Sequence, residues 1–238
     1  MGRQVILKVL LALSLSFQGN SNIPEKPTEV IYLGDSLAQE TSQILSYLVY
    51  PKKLVPKFFG GTAPCDWLDD DLEVGRNSVV VIQFTGNSIT PCMESGGSYL
   101  NDQALVEKYD HDIGVLIRKI RADGGRIVLV GQPYRAPSYN ADEEVAGINK
   151  VYQRYAKNLP YVSFIDAGAS VELNGEYSRS LSCNQFDIDC KGGKTVVRGD
   201  GAHFCPVAGK NPCPVYSSGA FRYGMAIAGA TNNPTKYD

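Results

Sequence analysis

The sequence contains no run of basic residues, no internal repeat and no low-complexity tract. Its 23 Lys and Arg are set against 25 Asp and Glu, for a formal net charge of −2. That balance excludes the basic footprint of a nucleic-acid binder and the polybasic patch of a protein held on anionic lipid. No Cys-x-x-Cys pair is present, which argues against the usual zinc arrangement. No Gly-x-Ser-x-Gly occurs, so the nucleophile elbow of an α/β-hydrolase is missing. Histidine is scarce, with only His111 and His203 in 238 residues, so the search for a general base is short. What remains is the composition of a globular chain, 43% hydrophobic and 20% charged, at a length suited to one ordinary domain.

The longest apolar stretch lies near the start, at residues 9–17, behind Arg3 and Lys8 and ahead of the polar segment 18–22. It is too short to span a bilayer and reads as an export signal over residues 1–22, leaving 23–238 as a single domain with no transmembrane span in the mature chain. The competing reading is a retained amphipathic helix. The six cysteines (Cys65, Cys92, Cys183, Cys190, Cys205 and Cys213) agree with export to an oxidising compartment. Nearness in sequence suggests Cys183 with Cys190 and Cys205 with Cys213, leaving Cys65 for Cys92. A zinc site at Cys205 beside His203 is the alternative. Secretion or residence in the cell envelope follows from these two features together.

Along the rest of the chain, short apolar runs alternate with amphipathic segments. Residues 30–33, 79–84, 126–131 and 162–165 read as buried parallel strands. Residues 36–50, 109–122 and 141–158 read as helices, the second closed by Gly124 and Gly125, and residues 219–228 as a closing helix. This alternation predicts an α/β fold with a parallel sheet covered on both faces, in which ligands bind beyond the carboxyl ends of the strands. Residues 169–198, rich in Gly, Ser, Asn and Asp, read as a long irregular excursion and a candidate wall of the site.

Ser36 and Asn87 each fall just past a strand end. A serine hydroxyl needs a base to take its proton. His111, flanked by Asp110 and Asp112, reads as a solvated side chain. His203 stands three residues after Asp200, a spacing that lets the carboxylate hold one ring nitrogen and leave the other for Ser36. Gly60 and Gly61 offer unobstructed backbone N–H groups, and Asn87 offers a side-chain amide. Trp67 and Tyr134 are either core aromatics or sugar-stacking platforms.

The order Gly34-Asp35-Ser36-Leu37, then glycine, then Asn87 after a strand, then Asp200-x-x-His203 resembles the SGNH hydrolase (GDSL esterase) family over nearly the whole chain beyond the signal. The resemblance implies a flavodoxin-like three-layer α/β/α sandwich. It implies a Ser36–His203–Asp200 triad and an oxyanion hole from the N–H of Ser36, the N–H of Gly61 (Gly60 being the alternative) and the amide of Asn87. The third block departs from the family's Gly-x-Asn-Asp, reading Thr85-Gly86-Asn87-Ser88. The segments 60–67 and 198–204 are similar to SGNH domains found alone or fused to membrane acyltransferases in bacterial envelopes. The expected activity is therefore hydrolysis of O-acyl esters, with an acylated glycan or glycolipid as partner and no cofactor or metal. Acyl transfer by the same triad and a non-catalytic glycan-binding module are the alternatives. Acyl chain length and oligomeric state are not encoded in these motifs.

Overall fold

The computed structural model describes residues 27–232, so the export signal read at residues 1–22 lies outside the described residues. Val30 to Leu33 form the heart of β1 (Glu29–Gly34), which runs directly into α1 (Ser36–Val49). β2 (Lys53–Phe58) and β3 (Ser78–Gln83) follow, then a two-residue hairpin of β4 (Glu94–Ser95) and β5 (Ser98–Tyr99). The chain continues through α2 (Asp102–Ala122), β6 (Arg126–Val130), α3 (Asp142–Asn158) and β7 (Val162–Ile165). Two small hairpins come next, β8 (Glu172–Leu173) with β9 (Glu176–Tyr177) and β10 (Ser180–Ser182) with β11 (Lys194–Val196), before α4 (Ser218–Asn232).

The main sheet is parallel with strand order β2-β1-β3-β6-β7. Because side chains alternate across a strand, each inner strand feeds two cores. Ile31, Leu33, Val80, Ile82, Ile127 and Leu129 pack under α2 and α3 against Ile113, Ile117, Ile148 and Tyr152. Val30, Tyr32, Val79, Val81, Val128 and Val130 pack on the opposite face under α1 and α4 against Leu37, Leu45, Tyr223 and Ile227. The result is three layers, as the alternating pattern predicts. Order reverses between β1 and β3, and their carboxyl ends open at one edge, the position where doubly wound sheets hold ligands.

Several elements differ from the sequence reading, which lacked the β4–β5 hairpin and ended the closing helix at 228 where α4 runs to Asn232. β2 was not anticipated: Lys53, Pro56 and Lys57 interrupt its apolar character because it is the edge strand, with one flank in solvent. α2 begins at Asp102 and not at 109; its first turn lacks a side-chain cap, and Leu105 alone marks the extra length as buried. The excursion at 169–198 is less irregular than its composition suggests, since β8 to β11 order it and Cys183 is bonded to Cys190. The other disulfides join Cys65 to Cys92 and Cys205 to Cys213. Among the described residues no helix is long and apolar enough to cross a membrane.

The join between β1 and α1 leaves no room for a side chain. A Cβ on Gly34 would lie 2.4 Å from the carbonyl oxygen of Gln83 and 2.6 Å from Ala38 Cβ. Gly34→Ala is therefore expected to cost about 1–3 kcal/mol, lowering Tm by about 2–4 °C for each kcal/mol in a chain of this size. Thermal denaturation followed by circular dichroism measures it; an unaltered Tm would contradict the close approach.

Candidate active site

Everything at the open edge of the sheet is arranged around Asp35. Its side chain is fully buried and caps α1, accepting the N–H of Leu37 at 3.0 Å. It also accepts Thr85 N–H and Thr85 Oγ1–H, each at 2.6 Å, with Gln83 Nε2 at 3.2 Å and Asn87 Nδ2 at 3.1 Å. Burial raises the pKa of this carboxyl, and the bonds from Thr85 and Leu37 oppose the rise. The cap bonds Leu37 and leaves Ser36, the first residue of α1, with its N–H free at the positive end of the helix.

Two loops stand over Ser36. After β2, residues 59–62 make a tight turn closed by Thr62 N–H to Phe59 O at 3.3 Å. Gly61 takes φ +83° there, the left-handed conformation such a turn demands of its third residue. A Cβ on Gly60 would point at Ser36 Cβ, 3.7 Å away, whereas one on Gly61 would meet Ile89 at 3.3 Å. Neither glycine N–H is used in the protein's own hydrogen bonds among the described residues. After β3, Asn87 is fixed by its backbone carbonyl, which accepts Tyr109 Oη–H at 2.9 Å. Its amide donates one hydrogen to Asp35 and the other to Thr62 O at 3.2 Å. Both amide hydrogens of Asn87 are thus engaged, so it can bond a further oxygen only by releasing one of these acceptors. The Cys65–Cys92 disulfide ties these two loops together a few residues further on.

The third loop brings His203. Residues 199–203 close on themselves through Gly199 N–H to His203 O at 3.1 Å. A Cβ on Gly199 would sit 1.8 Å from Cys205 O, so only glycine fits. Asp200 Oδ1 accepts the backbone N–H groups of Ala202 at 2.9 Å and His203 at 2.7 Å. Its Oδ2 lies 2.9 Å from His203 Nδ1, and His203 Nε2 lies 3.1 Å from Ser36 Oγ. Burial pushes the Asp200 carboxyl up, but the N–H groups of His203 and Ala202 and the imidazole outweigh it, so its pKa is lowered. An ionised carboxylate only accepts, so Nδ1 carries the ring proton and Nε2 is left to take one from Ser36. The structure thus brings Ser36, His203 and Asp200, separated by 167 and 3 residues, into one chain of hydrogen bonds. His111 lies elsewhere, its exposed ring 2.9 Å from Asp112. Trp67 Nε1 donates to Thr62 Oγ1 at 3.3 Å, behind the glycine turn.

Two supporting residues carry no motif. Glu40, one helical turn after Ser36, accepts the N–H of Phe204 at 2.7 Å and so fastens the histidine loop to α1. Its carboxyl is raised by burial, and the Phe204 bond opposes this. Arg198, almost fully buried, donates to the carbonyls of Tyr134, Gly201 and Ala202 and lies over the Phe204 ring. Burial lowers its pKa to about 10. The i, i+4 spacing of Ser36 and Glu40 was the only available signal for the first. For Arg198 there was none, because its partners are backbone atoms. Phe59 and Ile89, beside the glycine turn, are both exposed and form an apolar rim there.

Every contact to Asp35 is a donor, save that the Thr85 hydroxyl can also accept. Asp35→Asn would turn an amide N–H₂ toward those donors and leave buried groups unsatisfied, at about 1–3 kcal/mol. Chemical denaturation should report that loss; a variant as stable as the parent would show that the carboxylate is not the organising group.

No protein-family model and no curated protein matches the chain. Solved structures do. The lipase/acylhydrolase from Enterococcus faecalis aligns with a TM-score of 0.56 at 13% identity, over 86% of this chain and 95% of its own. The C-terminal catalytic domain of peptidoglycan O-acetyltransferase A from Streptococcus pneumoniae gives 0.53 at 16% identity, over 87% and 93%. A GDSL-like lipase from Bacteroides thetaiotaomicron gives 0.54 at 13% identity, over 86% and 87%. Likeness at such identities is a likeness of fold, and by it this chain has the three-layer α/β/α fold of the SGNH (GDSL) acylhydrolases.

Proposed function

We propose that the protein is a serine esterase that removes O-acyl groups from glycans or glycolipids outside the cytoplasm. The observation that carries this reading is the unbroken relay from Asp200 through His203 to Ser36 Oγ, with contacts of 2.9 and 3.1 Å. Ser36 Oγ attacks the ester carbonyl while His203 Nε2 takes its proton, and Asp200 stabilises the imidazolium. The carbonyl oxygen gains charge and is held by the N–H groups of Ser36 and Gly61 and by the Asn87 amide, which gives up Thr62 O to do so. His203 returns the proton to the departing alcohol, leaving an acyl-Ser36. Water, deprotonated by the same ring, then releases the acid. No step calls for a metal or cofactor. Three disulfides support an extracytoplasmic setting, because such bonds persist where the surroundings are oxidising; cleavage of an export signal over residues 1–22 belongs to the same reading.

The fold shared with an O-acetyltransferase catalytic domain favours a second reading, in which a sugar hydroxyl and not water collects the acyl group. The two share every step up to the acyl-enzyme.

Ser36→Ala should lower turnover of p-nitrophenyl acetate by about 10⁴-fold or more and abolish labelling by a fluorophosphonate probe, with the circular dichroism spectrum preserved. Retained turnover would refute the nucleophile, and absence of labelling in the parent protein would favour a binding module. Turnover in the presence of an acceptor oligosaccharide separates the two readings: free acetate alone identifies hydrolysis, and an O-acetylated acceptor identifies transfer.

A further inference from the structure

A cavity of about 460 Å³ lies at the same open edge, on the far side of the β3 end from Ser36. It is formed by the loop after β6, the first turn of α3 and the tip of the β8–β9 hairpin, and Tyr134, Arg135, Asp142, Glu143, Glu176 and Tyr177 line it. Its walls are bonded to two of the loops around Ser36. Ala136 N–H donates to Gly201 O at 2.9 Å, Tyr139 Oη–H reaches Asp200 O at 3.4 Å, and the Tyr177 hydroxyl lies 3.7 Å from where a Cβ on Gly201 would stand. On the other side, Arg135 Nη2 donates to Thr85 O, two residues before Asn87.

Apart from the Arg135 guanidinium, the polar ends in this cavity are not spent on the protein. Among the described residues, the Tyr134 and Tyr177 hydroxyls and the Asp142, Glu143 and Glu176 carboxylates make no side-chain hydrogen bond. An acyl chain placed there would match none of them, at about 1–3 kcal/mol for each group that it stripped of water. An ion of either sign would meet both a guanidinium and carboxylates. A sugar suits the set, because each hydroxyl both donates and accepts, and its carbon face can lie on a tyrosine ring. The volume is within the range of about 300–1,000 Å³ typical of small-molecule sites.

We propose that this cavity is a saccharide subsite, which receives the glycan part of an O-acylated substrate beside the serine that takes its acyl group. The proposal rests on the esterase reading for its biological purpose, but binding tests it independently. The full-length Ser36→Ala protein is titrated calorimetrically with xylotriose and, separately, with triacetylchitotriose. Saturable binding of at least one is expected, weakened about tenfold in the Ser36→Ala background by Tyr177→Ala and by Glu176→Ala. Glu176 is exposed and unbonded, so its substitution keeps the test decisive if Tyr177→Ala does not fold. Binding of neither trisaccharide, binding indifferent to Glu176→Ala, or binding of choline with no binding of either sugar would each overturn the subsite. Failure of the esterase reading gives a different result: no turnover of p-nitrophenyl acetate by the parent protein, with trisaccharide binding intact.

Discussion

The active edge of this molecule depends on one buried carboxyl group, that of Asp35. Asp35 follows β1 directly, and its carboxylate gathers donors from α1, from the end of β3 and from the loop beyond it. A carboxylate removed from water is costly unless it is densely bonded, and that cost makes the arrangement specific. Any shift of one loop relative to another would break a bond to a group that water cannot reach. The position of Ser36, the free N–H at the start of α1 and the orientation of Asn87 are therefore set together. In this respect the second residue of Gly34-Asp35-Ser36-Leu37 matters to the site as much as the third.

The parts of this design that were legible in the sequence are those whose causes are local. β1 and β3 each carry a run of four apolar residues that must be buried on both faces. Asp200 and His203 are three residues apart and make contact within one loop. Where causes are distant, the sequence was silent or misleading. Glu40 meets its partner 164 residues away, and Arg198 is bonded to carbonyls that every residue possesses. β2 escaped notice because an edge strand is half solvated and tolerates Lys53 and Pro56. Asn87 was legible as a residue type but not as a conformation, since its engagement with Thr62 O depends on a turn formed by another loop.

Solved structures with 13–16% identity share the architecture over most of their length. Layered packing explains how so few common residues suffice. Each strand asks only for apolar side chains of fitting volume on alternate faces, whereas Gly34 and Gly199 stand where no other residue fits. Variation is then concentrated in the loops, where this chain has added covalent restraint. Cys65–Cys92 joins the loops that follow β2 and β3, and Cys205–Cys213 begins two residues after His203. Both cross-links hold backbone that the sheet itself does not reach.

The bond from Phe204 N–H to Glu40 closes the molecule's beginning onto its end. Ser36 belongs to the first helix described and His203 to the last loop before α4, with most of the sheet between them. The contact between Ser36 and His203 therefore exists only where the segment beyond β7 lies closed over α1, so it is a property of the completed fold and not of either element alone.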